Sequence, residues 1–217
     1  MKEDVLTIEK SFKLLEKYKI PLAKYGLAKN EKQAIKIANK IGYPVVLKIV
    51  SPQVIHKTDV GGREVDIKSD EMLEKAYKKI VSNVKKKIPK ATIQGMLVQK
   101  MIEDGQEIII GGKWDEQFHS TILFGIGGIF TEVYQDTSVR VVPITKNDAE
   151  EMVQEIKGYK ILQGYRGKRY DVNSLVDILL KTSRMLEKNP KIKELDINPV
   201  MVLKKGAFAV DARIVVE

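Results

Sequence analysis

The sequence predicts an α+β (mixed α/β) fold, in which helices pack against β-sheets. Segments with apolar residues at helical spacing alternate with short runs rich in Ile, Val and Leu along the whole chain. The chain has 217 residues, enough for one large domain or two small lobes that bury a substantial core. Apolar residues make up 43% and charged residues 31%, which is the balance of a globular protein rather than a disordered one.

The first predicted elements are two helices and a strand. Apolar residues at helical spacing predict a helix over Ser11–Tyr18. Asn30 is a suitable N-cap for a second helix, and Gly42 ends it. The apolar run Val45–Val50 follows and predicts a buried strand.

The same alternation continues beyond this strand. Ser69 caps a longer helix that runs to Lys87, because Pro89 prevents its continuation. Further strands are predicted at Ile93–Met101, Gln106–Gly112, Ser120–Phe124 and Val139–Pro143, and further helices at Asn147–Lys157 and Asp171–Lys188. Neither an internal repeat nor a linker rich in Gly, Pro or Ser marks a domain boundary. We place it between residues 94 and 95, which gives an N-terminal lobe of residues 1–94 and a C-terminal lobe of residues 95–217.

Composition and charge exclude several classes of protein. The chain has no cysteine, so disulfides, thiolate zinc sites and cysteine nucleophiles are excluded. The net charge is +9, but lysines are interleaved with acidic residues and only Lys85–Lys87 forms a run, so we expect no nucleic-acid partner. No apolar run approaches the ~20 residues that span a bilayer. The segment Met1–Glu9 is charged, and we therefore expect a cytoplasmic protein without membrane contact.

Lys48 is the first candidate for chemistry, because it lies in the middle of the apolar strand. Burying an ammonium group without a partner is costly. Either the side chain reaches water at the end of the strand, or it points into a cleft towards an anion such as phosphate.

A polar loop with His56 follows this strand and ends at Gly61-Gly62. Paired glycines let backbone N–H groups approach phosphate oxygens, although such pairs are often only turns. Histidine is the side chain best suited to act as base or nucleophile near neutral pH. A loop histidine is usually incidental, but the position of His56 between Lys48 and the glycine pair makes a functional role an equal alternative. The second histidine, His119, is interpreted as structural or exposed.

The C-terminal segment predicts a hairpin with a turn at Lys204–Gly206. Asp196 and Asn198 share one strand face by period-two alternation, and Asp211 lies on the returning strand. Oxygen ligands on adjacent strands, with positions left open for phosphate, suit Mg²⁺. The alternative is that Asp211 forms a structural salt bridge.

Two further charged residues are candidates. Glu107 lies on the predicted strand that ends at Gly111-Gly112, where a carboxylate could order a metal, a ribose or a lysine. Arg140 lies between apolar strand residues, and a buried arginine needs an anionic partner. Taken alone it favours a structural role, but it is also included among the nucleotide-binding candidates.

Taken together, these motifs resemble one family. The segment from Ala34 to Lys48 resembles the opening of an ATP-grasp domain, whose two lobes hold a nucleotide in the cleft between them. The beta subunits of ADP-forming acyl-CoA (acetyl-CoA) synthetases, and more distantly of succinyl-CoA synthetase, show similar motifs in four places. These are His56–Gly62, Gly127–Val133, Leu162–Gly167 and Glu194–Val200 with Val210–Arg213. The residue after the glycine pair, Arg63, departs from the apolar residue that the family pattern has there.

The resemblance implies roles for the candidate residues. Lys48 would hold the nucleotide phosphates, and His56 would carry a phosphoryl group. The hinge Val98–Met101 would meet adenine through its backbone, with Lys100 near the nucleotide. The other implied roles are nucleotide or metal binding by Glu107, contacts to phosphates or a partner's loop by Gly61, Gly62, Gly127 and Gly128, and Mg²⁺ binding by Asn198, Asp211 and the neighbouring Asp196.

The resemblance also implies a reaction and a partner. Acyl-CoA, ADP and phosphate would reversibly give acid, ATP and CoA, with ATP/ADP and Mg²⁺ bound by this chain. The sequence lacks an early glycine-rich fingerprint for CoA, so we expect a CoA-binding alpha subunit in an α2β2 assembly. Two alternatives stay open, a stand-alone ATP-grasp carboxylate ligase and a non-enzymatic basic module that binds nucleotides or nucleic acid.

Overall fold

The computed structural model of the chain describes residues 4–54, 57–128, 135–164 and 167–217. Elements are numbered in chain order. The helices are α1 Ile8–Lys17, α2 Glu31–Ile41, α3 Asp70–Lys87, α4 Lys146–Glu155, α5 Tyr159–Leu162 and α6 Val172–Lys188. The strands are β1 Asp4–Val5, β2 Tyr25–Ala28, β3 Val45–Val50, β4 Arg63–Ile67, β5 Gly95–Lys100, β6 Gln106–Asp115, β7 His119–Ile126, β8 Thr137–Val141, β9 Ile192–Val202, β10 Ala207–Ala209 and β11 Arg213–Val216. In the described ranges, no helix is both long enough and apolar enough to cross a membrane.

The chain forms two compact units. The small unit comprises Thr7–Glu9 and Ala23–Glu103, and the large unit comprises Met1–Leu6, Lys10–Leu22 and Asp104–Glu217. This division differs from the boundary predicted between residues 94 and 95. β5 pairs with both β2 and β3, so it belongs to the sheet of the small unit.

The small unit is a four-stranded antiparallel sheet in the order β2-β5-β3-β4 with two helices on one face. Asn30 and Ser69 begin α2 and α3 by accepting hydrogen bonds from the backbone N–H groups of Gln33 and Met72, as predicted for these two caps. The apolar side of each helix packs on Val45, Leu47, Ile49, Met96 and Val98, which form a continuous core with the helices. We call this side of the sheet the helix face.

The opposite side of this sheet, which we call the Lys48 face, is also buried. Val46, Lys48, Leu97 and Gln99 lie on it, because directly paired residues of antiparallel strands point to the same side. Their exposed fractions range from 0 to 7%. Both faces of β3 and β5 are therefore shielded from water.

The large unit is a seven-stranded sheet in the order β1-β11-β9-β6-β7-β8, with β10 paired to β9. One face packs against the helices, where a Cβ atom on Gly112 would lie 2.8 Å from Leu186 of α6. Ile110, Phe124 and Ile197 are fully buried on this side. The other face carries Gly111, Leu123 and Asp196, and we call it the open face.

The predicted hairpin is confirmed. β9 and β10 pair antiparallel from Val202 opposite Ala207, and the N–H group of Leu203 donates to the Gly206 carbonyl at 2.9 Å. Gly206 has a φ of +82°, which an L-residue rarely adopts and glycine adopts freely. Three strands, β1, β2 and β4, were not predicted from the sequence.

Candidate functional site

Lys48 lies in the middle of β3 with only 1% of its surface exposed. Leu97 is its neighbour on β5, and Arg63 is directly opposite on β4. Like charges directly opposite each other destabilise a sheet. Two cations placed side by side on one face are therefore suited to an anion that binds both, which supports the phosphate role that was predicted for Lys48.

Gln99 is a polar residue on the same face that sequence reasoning missed. It lies opposite Val46, one alternation from Lys48, and is fully buried. Neither its amide nitrogen nor its amide oxygen has a hydrogen-bond partner among the described residues. A buried polar group without a partner costs roughly 1–3 kcal/mol. One signal was present in the sequence, namely a polar residue inside the predicted strand Ile93–Met101.

Of the hinge residues that were predicted to contact the nucleotide, Val98 and Lys100 point to the helix face. Val98 is part of the core, and the Lys100 ammonium donates to the carbonyls of Gly42 at 3.0 Å and Tyr43 at 2.7 Å. The N–H group of Met101 donates to the Pro44 carbonyl at 3.1 Å. These hydrogen bonds of Lys100 link β5 to the end of α2. They do not support the predicted contact between the Lys100 ammonium and the nucleotide, which stays a prediction.

The glycine pair Gly61-Gly62 closes a turn rather than presenting free donors. The N–H groups of Gly61 and Gly62 donate to the carbonyls of Thr58 at 3.1 Å and Lys57 at 2.6 Å. Gly61 has a φ of +62°, and a Cβ atom there would lie 2.6 Å from the Asn83 amide nitrogen. Space and backbone conformation therefore explain the glycine at position 61.

Gly127, Gly128 and Glu107 come together at the edge of the open face. The N–H group of Gly127 donates to the Glu107 carbonyl at 2.8 Å, and a Cβ atom on Gly127 would lie 3.0 Å from Glu107 Cβ. Gly128 has a φ of +73°, and the ideal position of its Cβ is 3.6 Å from the Glu107 carboxylate. The close approach requires glycine at position 127, so these three predicted site residues form one local arrangement.

The predicted metal ligands lie on and beside β9. Arg213 is opposite Asp196, and Ala209 is opposite Val200, so the register on either side brings Asp211 next to Asn198. The N–H group of Val210 also donates to the Pro199 carbonyl at 2.9 Å. The predicted proximity of Asn198 and Asp211 is thus consistent with the observed pairing.

The electrostatics of Asp196 suit a cation. Burial raises the pKa of the Asp196 carboxyl above its ordinary value, Arg213 opposes that shift, and Asp211 and Glu194 add to it. One oxygen, Oδ1, is buried without a hydrogen-bond partner in the part of the chain that the structure describes. A cation at this oxygen would supply the missing partner and relieve the repulsion among the acids.

The acids alone do not complete a metal site. Among residues 4–54, 57–128, 135–164 and 167–217, no group of three or more His, Cys, Asp or Glu side chains is placed to hold a metal ion. The predicted set therefore depends on the amide oxygen of Asn198, together with the carboxylates of Asp196 and Asp211. Oxygen ligands of this mixed kind are compatible with Mg²⁺, which usually keeps several waters or phosphate oxygens in its shell.

A cavity of about 370 Å³ opens on the same face of the large unit. Its apolar wall includes Ile109, Leu123 and Val139, and its polar side includes Asp196 and Arg213. This volume is within the range of roughly 300–1,000 Å³ that small-molecule sites occupy.

Arg140, which was predicted to bind the nucleotide, has its anionic partner within the large unit. Its two terminal nitrogens each donate to one carboxylate oxygen of Glu155 at 2.8 Å, and Ser138 donates to the same carboxylate. This bidentate pair attaches β8 to α4, so the contacts of Arg140 indicate a structural role. His56 and Arg166 lie outside the described residues.

Comparisons with protein families, with known proteins and with solved structures all find similar proteins. Residues 1–216 match the family described as the ATP-grasp domain. The chain is 45% identical over 203 residues to the beta subunit of acetate–CoA ligase (ADP-forming) I from Pyrococcus furiosus, covering 93% of this chain and 88% of that protein.

Solved structures from Ca. Korarchaeum cryptofilum are also similar. One is acetyl-coenzyme A synthetase 1 in complex with coenzyme A and Ca-AMPCP, with a TM-score of 0.95, 44% identity and coverage of 99% of this chain and 94% of that chain. Another is the same enzyme with coenzyme A and Mg-AMPPCP, whose phosphohistidine segment points towards the nucleotide binding site. Its TM-score is 0.86 at 39% identity, with 99% of this chain and 93% of that chain covered.

Some relatives are much longer than this chain. The acetate–CoA ligase (ADP-forming) I of Archaeoglobus fulgidus is 48% identical over 203 residues, and the chain spans only 30% of its length.

Proposed function

The chain belongs to the ATP-grasp family, and we propose that it is the nucleotide-binding subunit of an ADP-forming acetyl-CoA (acyl-CoA) synthetase. The net reaction converts acyl-CoA, ADP and phosphate reversibly into acid, ATP and CoA. This chain contributes the sites for ATP/ADP and Mg²⁺, and His56 carries the phosphoryl group to ADP.

The observation that carries this proposal is the pair of cations on the Lys48 face. Lys48 is 1% exposed and lies opposite Arg63. An ammonium group beside a guanidinium group presents two positive charges that can make charge-assisted contacts with phosphate oxygens. Nucleotides carry such oxygens, and in phosphoryl transfer the protein acts mainly by positioning and neutralising them.

The hairpin of the large unit supplies the second part of the proposal. Asp196, Asn198 and Asp211 provide the oxygens that would hold Mg²⁺, and Glu107 lies against the glycines of the adjacent loop. Mg²⁺ held by these oxygens would supply positive charge that neutralises part of the phosphate charge. The carboxylates would hold the metal, and a nearby cation would oppose the upward shift in the pKa of Asp196 that its burial causes.

His56 has a chemical role because imidazole is a nucleophile near neutral pH. In the direction of ATP synthesis, the bond between phosphorus and the imidazole nitrogen breaks, and a bond forms between phosphorus and a β-phosphate oxygen of ADP. The ring nitrogen keeps the electron pair of the broken bond. The turn that follows His56 is held by the hydrogen bonds of Gly61 and Gly62, which limits the conformations of the loop's end.

A partner completes the proposed enzyme. The relative from Pyrococcus furiosus is called a beta subunit, and this chain spans 88% of its length. We propose a CoA-binding alpha subunit as the partner of this chain, in an α2β2 assembly. The acid and CoA would bind to that partner.

The experiment that tests this function is phosphoryl transfer from ATP. The full chain is incubated with Mg²⁺ and ATP labelled in the γ-phosphate, alone and with a CoA-binding alpha subunit. We expect an acid-labile, base-stable label on the wild-type chain and none on His56→Asn, while the affinity for ADP changes less than about twofold, because His56 acts on the phosphoryl group and not on ADP binding.

Other outcomes point to the alternatives. Tight ADP binding without label in either setting would favour a stand-alone carboxylate ligase. Binding to polyanions that weakens steeply with salt, without nucleotide selectivity, would favour a non-enzymatic basic module.

A further inference from the structure

Gln99 is a polar side chain buried inside an apolar strand. It follows Met96, Leu97 and Val98 on β5, and all four residues are 0% exposed. Neither the amide nitrogen nor the amide oxygen of Gln99 has a hydrogen-bond partner among the residues described by the structure. A glutamine amide has two N–H donors and an oxygen that accepts twice, so its whole capacity for hydrogen bonds is unused there.

The packing of the small unit does not explain why a glutamine occupies this position. Its neighbours across the sheet are Tyr25 on β2 and Val46 on β3. An apolar side chain of similar volume, such as methionine, would avoid the cost of two unpaired polar atoms. Buried polar groups without a partner are rare in native proteins and need a specific explanation, which a ligand that pairs with the amide would supply.

Gln99 lies close to Lys48, the candidate phosphate contact. Lys48 is directly opposite Leu97, which precedes Gln99 by two residues on the same face of the sheet. Diagonal neighbours of this kind are roughly 7–8 Å apart, a distance that long or aromatic groups bridge. A nucleotide whose phosphates contact Lys48 would therefore have its base within reach of the Gln99 amide.

We propose that Gln99 determines the base specificity of the nucleotide site by pairing its side-chain amide with adenine. This inference rests on the proposed function of the chain as a nucleotide-binding subunit, and it concerns the side chain rather than the backbone of β5. The amide oxygen accepts from the N6 amino group of adenine and the amide nitrogen donates to N7, which is the bidentate pairing that glutamine makes with this base. The N7 edge of a purine lies nearer the 5′-phosphates than the N1 edge, so it is the edge that faces Gln99 when the phosphates lie at Lys48.

The same arrangement discriminates against guanine. On this edge guanine presents two acceptors, O6 and N7, and no donor. One of the two would face the amide oxygen of Gln99, so that a buried acceptor would meet another acceptor. A site built to pair with a polar group rejects an analogue that leaves its buried groups unpaired. The site should therefore prefer ADP to GDP.

The test compares the full wild-type chain with Gln99→Met and with the matched control Gln94→Met, which changes an exposed glutamine just before the start of β5. Calorimetric titration measures the affinity for Mg-ADP, for Mg-GDP and for 7-deaza-ADP with Mg²⁺, in which a C–H group replaces N7. We expect the wild type to bind ADP about tenfold more tightly than either of the other two nucleotides. Gln99→Met should weaken ADP binding about tenfold and bring both ratios below about threefold, whereas Gln94→Met should leave all three affinities unchanged.

Two results would overturn the proposal. One is a wild-type chain that binds ADP, GDP and 7-deaza-ADP equally well, and this measurement stands even if Gln99→Met fails to fold. The other is a loss of affinity in Gln99→Met that is the same for all three nucleotides, because a purely structural role would not distinguish the bases.

The outcome is separable from that of the phosphoryl-transfer experiment. Absence of label on the wild type, together with a base preference that depends on Gln99, would refute the role of His56 and support that of Gln99. Normal labelling with an unchanged base preference in Gln99→Met would do the reverse. A chain that binds none of the three nucleotides would overturn both proposals.

Discussion

The two faces of the four-stranded sheet use lysine in opposite ways. Lys48 on β3 is 1% exposed and lies beside a second cation, Arg63. Lys100 on β5 points to the helix face, where the carbonyls of Gly42 and Tyr43 accept hydrogen bonds from its ammonium at 3.0 and 2.7 Å. Lys100 has backbone acceptors at the end of α2, whereas Lys48 has a neighbour of its own charge.

This difference predicts a binding role for Lys48 and a structural role for Lys100. A cation at the C-terminal end of a helix is stabilised by the helix carbonyls and needs no ligand. Two cations opposite each other on paired strands are suited to a ligand with several negative charges. For Lys48 we therefore predict an effect on affinity that grows with the number of phosphates, and for Lys100 an effect on stability that is independent of ligand.

The largest effect is expected from removing the charge of Lys48. Lys48→Met should weaken ATP binding by about 2–3 kcal/mol, because a charge-assisted hydrogen bond is lost. The loss should grow from adenosine through ADP to ATP as the number of phosphates increases. Calorimetric titration of the three ligands against the full chain measures this series, and an equal loss for adenosine and ATP would contradict a phosphate contact.

A smaller effect of a different kind is expected for Lys100→Met, which removes the same charge from the other face. It should lower the free energy of unfolding by about 1–2 kcal/mol, since two carbonyl acceptors lose a charged donor. Any change in nucleotide affinity should be similar for adenosine, ADP and ATP. Thermal unfolding with and without nucleotide measures this, with exposed Lys205→Met as a control that should have almost no effect. A loss that grows with phosphate number would mean that Lys100 contacts the nucleotide after all.

Much of the framework could be predicted from local patterns. The caps Asn30 and Ser69, the strand that carries Lys48 and the final hairpin all follow from residue types at fixed spacing, and the structure confirms each of them. The proximity of Asn198 and Asp211 also follows from a short turn and strand alternation, and the observed register is consistent with it.

The sequence alone could not predict which residues of β5 point to the helix face and which point to the Lys48 face. β5 is buried on both sides, so its residues show no alternation of polar and apolar types that would reveal which side the helices cover. Lys100 was therefore placed near the nucleotide and Gln99 was overlooked. Likewise, the partner of Arg140 is Glu155, on a helix that packs beside β8, and that contact depends on the tertiary structure.

The smallest expected effect concerns Gln99, and it tests whether the Lys48 face is built for a ligand. The two unpartnered amide atoms should cost stability in the free chain. Gln99→Met keeps a similar volume and removes both atoms, so we expect the unfolding temperature of the nucleotide-free chain to rise by about 2–4 °C, which corresponds to about 1 kcal/mol for a chain of this size.

When nucleotide is added, Gln99→Met should gain less stability than the wild type, because methionine has no amide group that could form a hydrogen bond with the nucleotide. Adenosine and ATP should be affected equally, in contrast with the Lys48 series, if the amide contacts the base rather than the phosphates. A lower unfolding temperature of the nucleotide-free variant would show that Gln99 stabilises the fold on its own. In that case only Lys48 and Arg63 on the Lys48 face would be expected to bind a ligand, and Gln99 would contribute to the packing of the sheet.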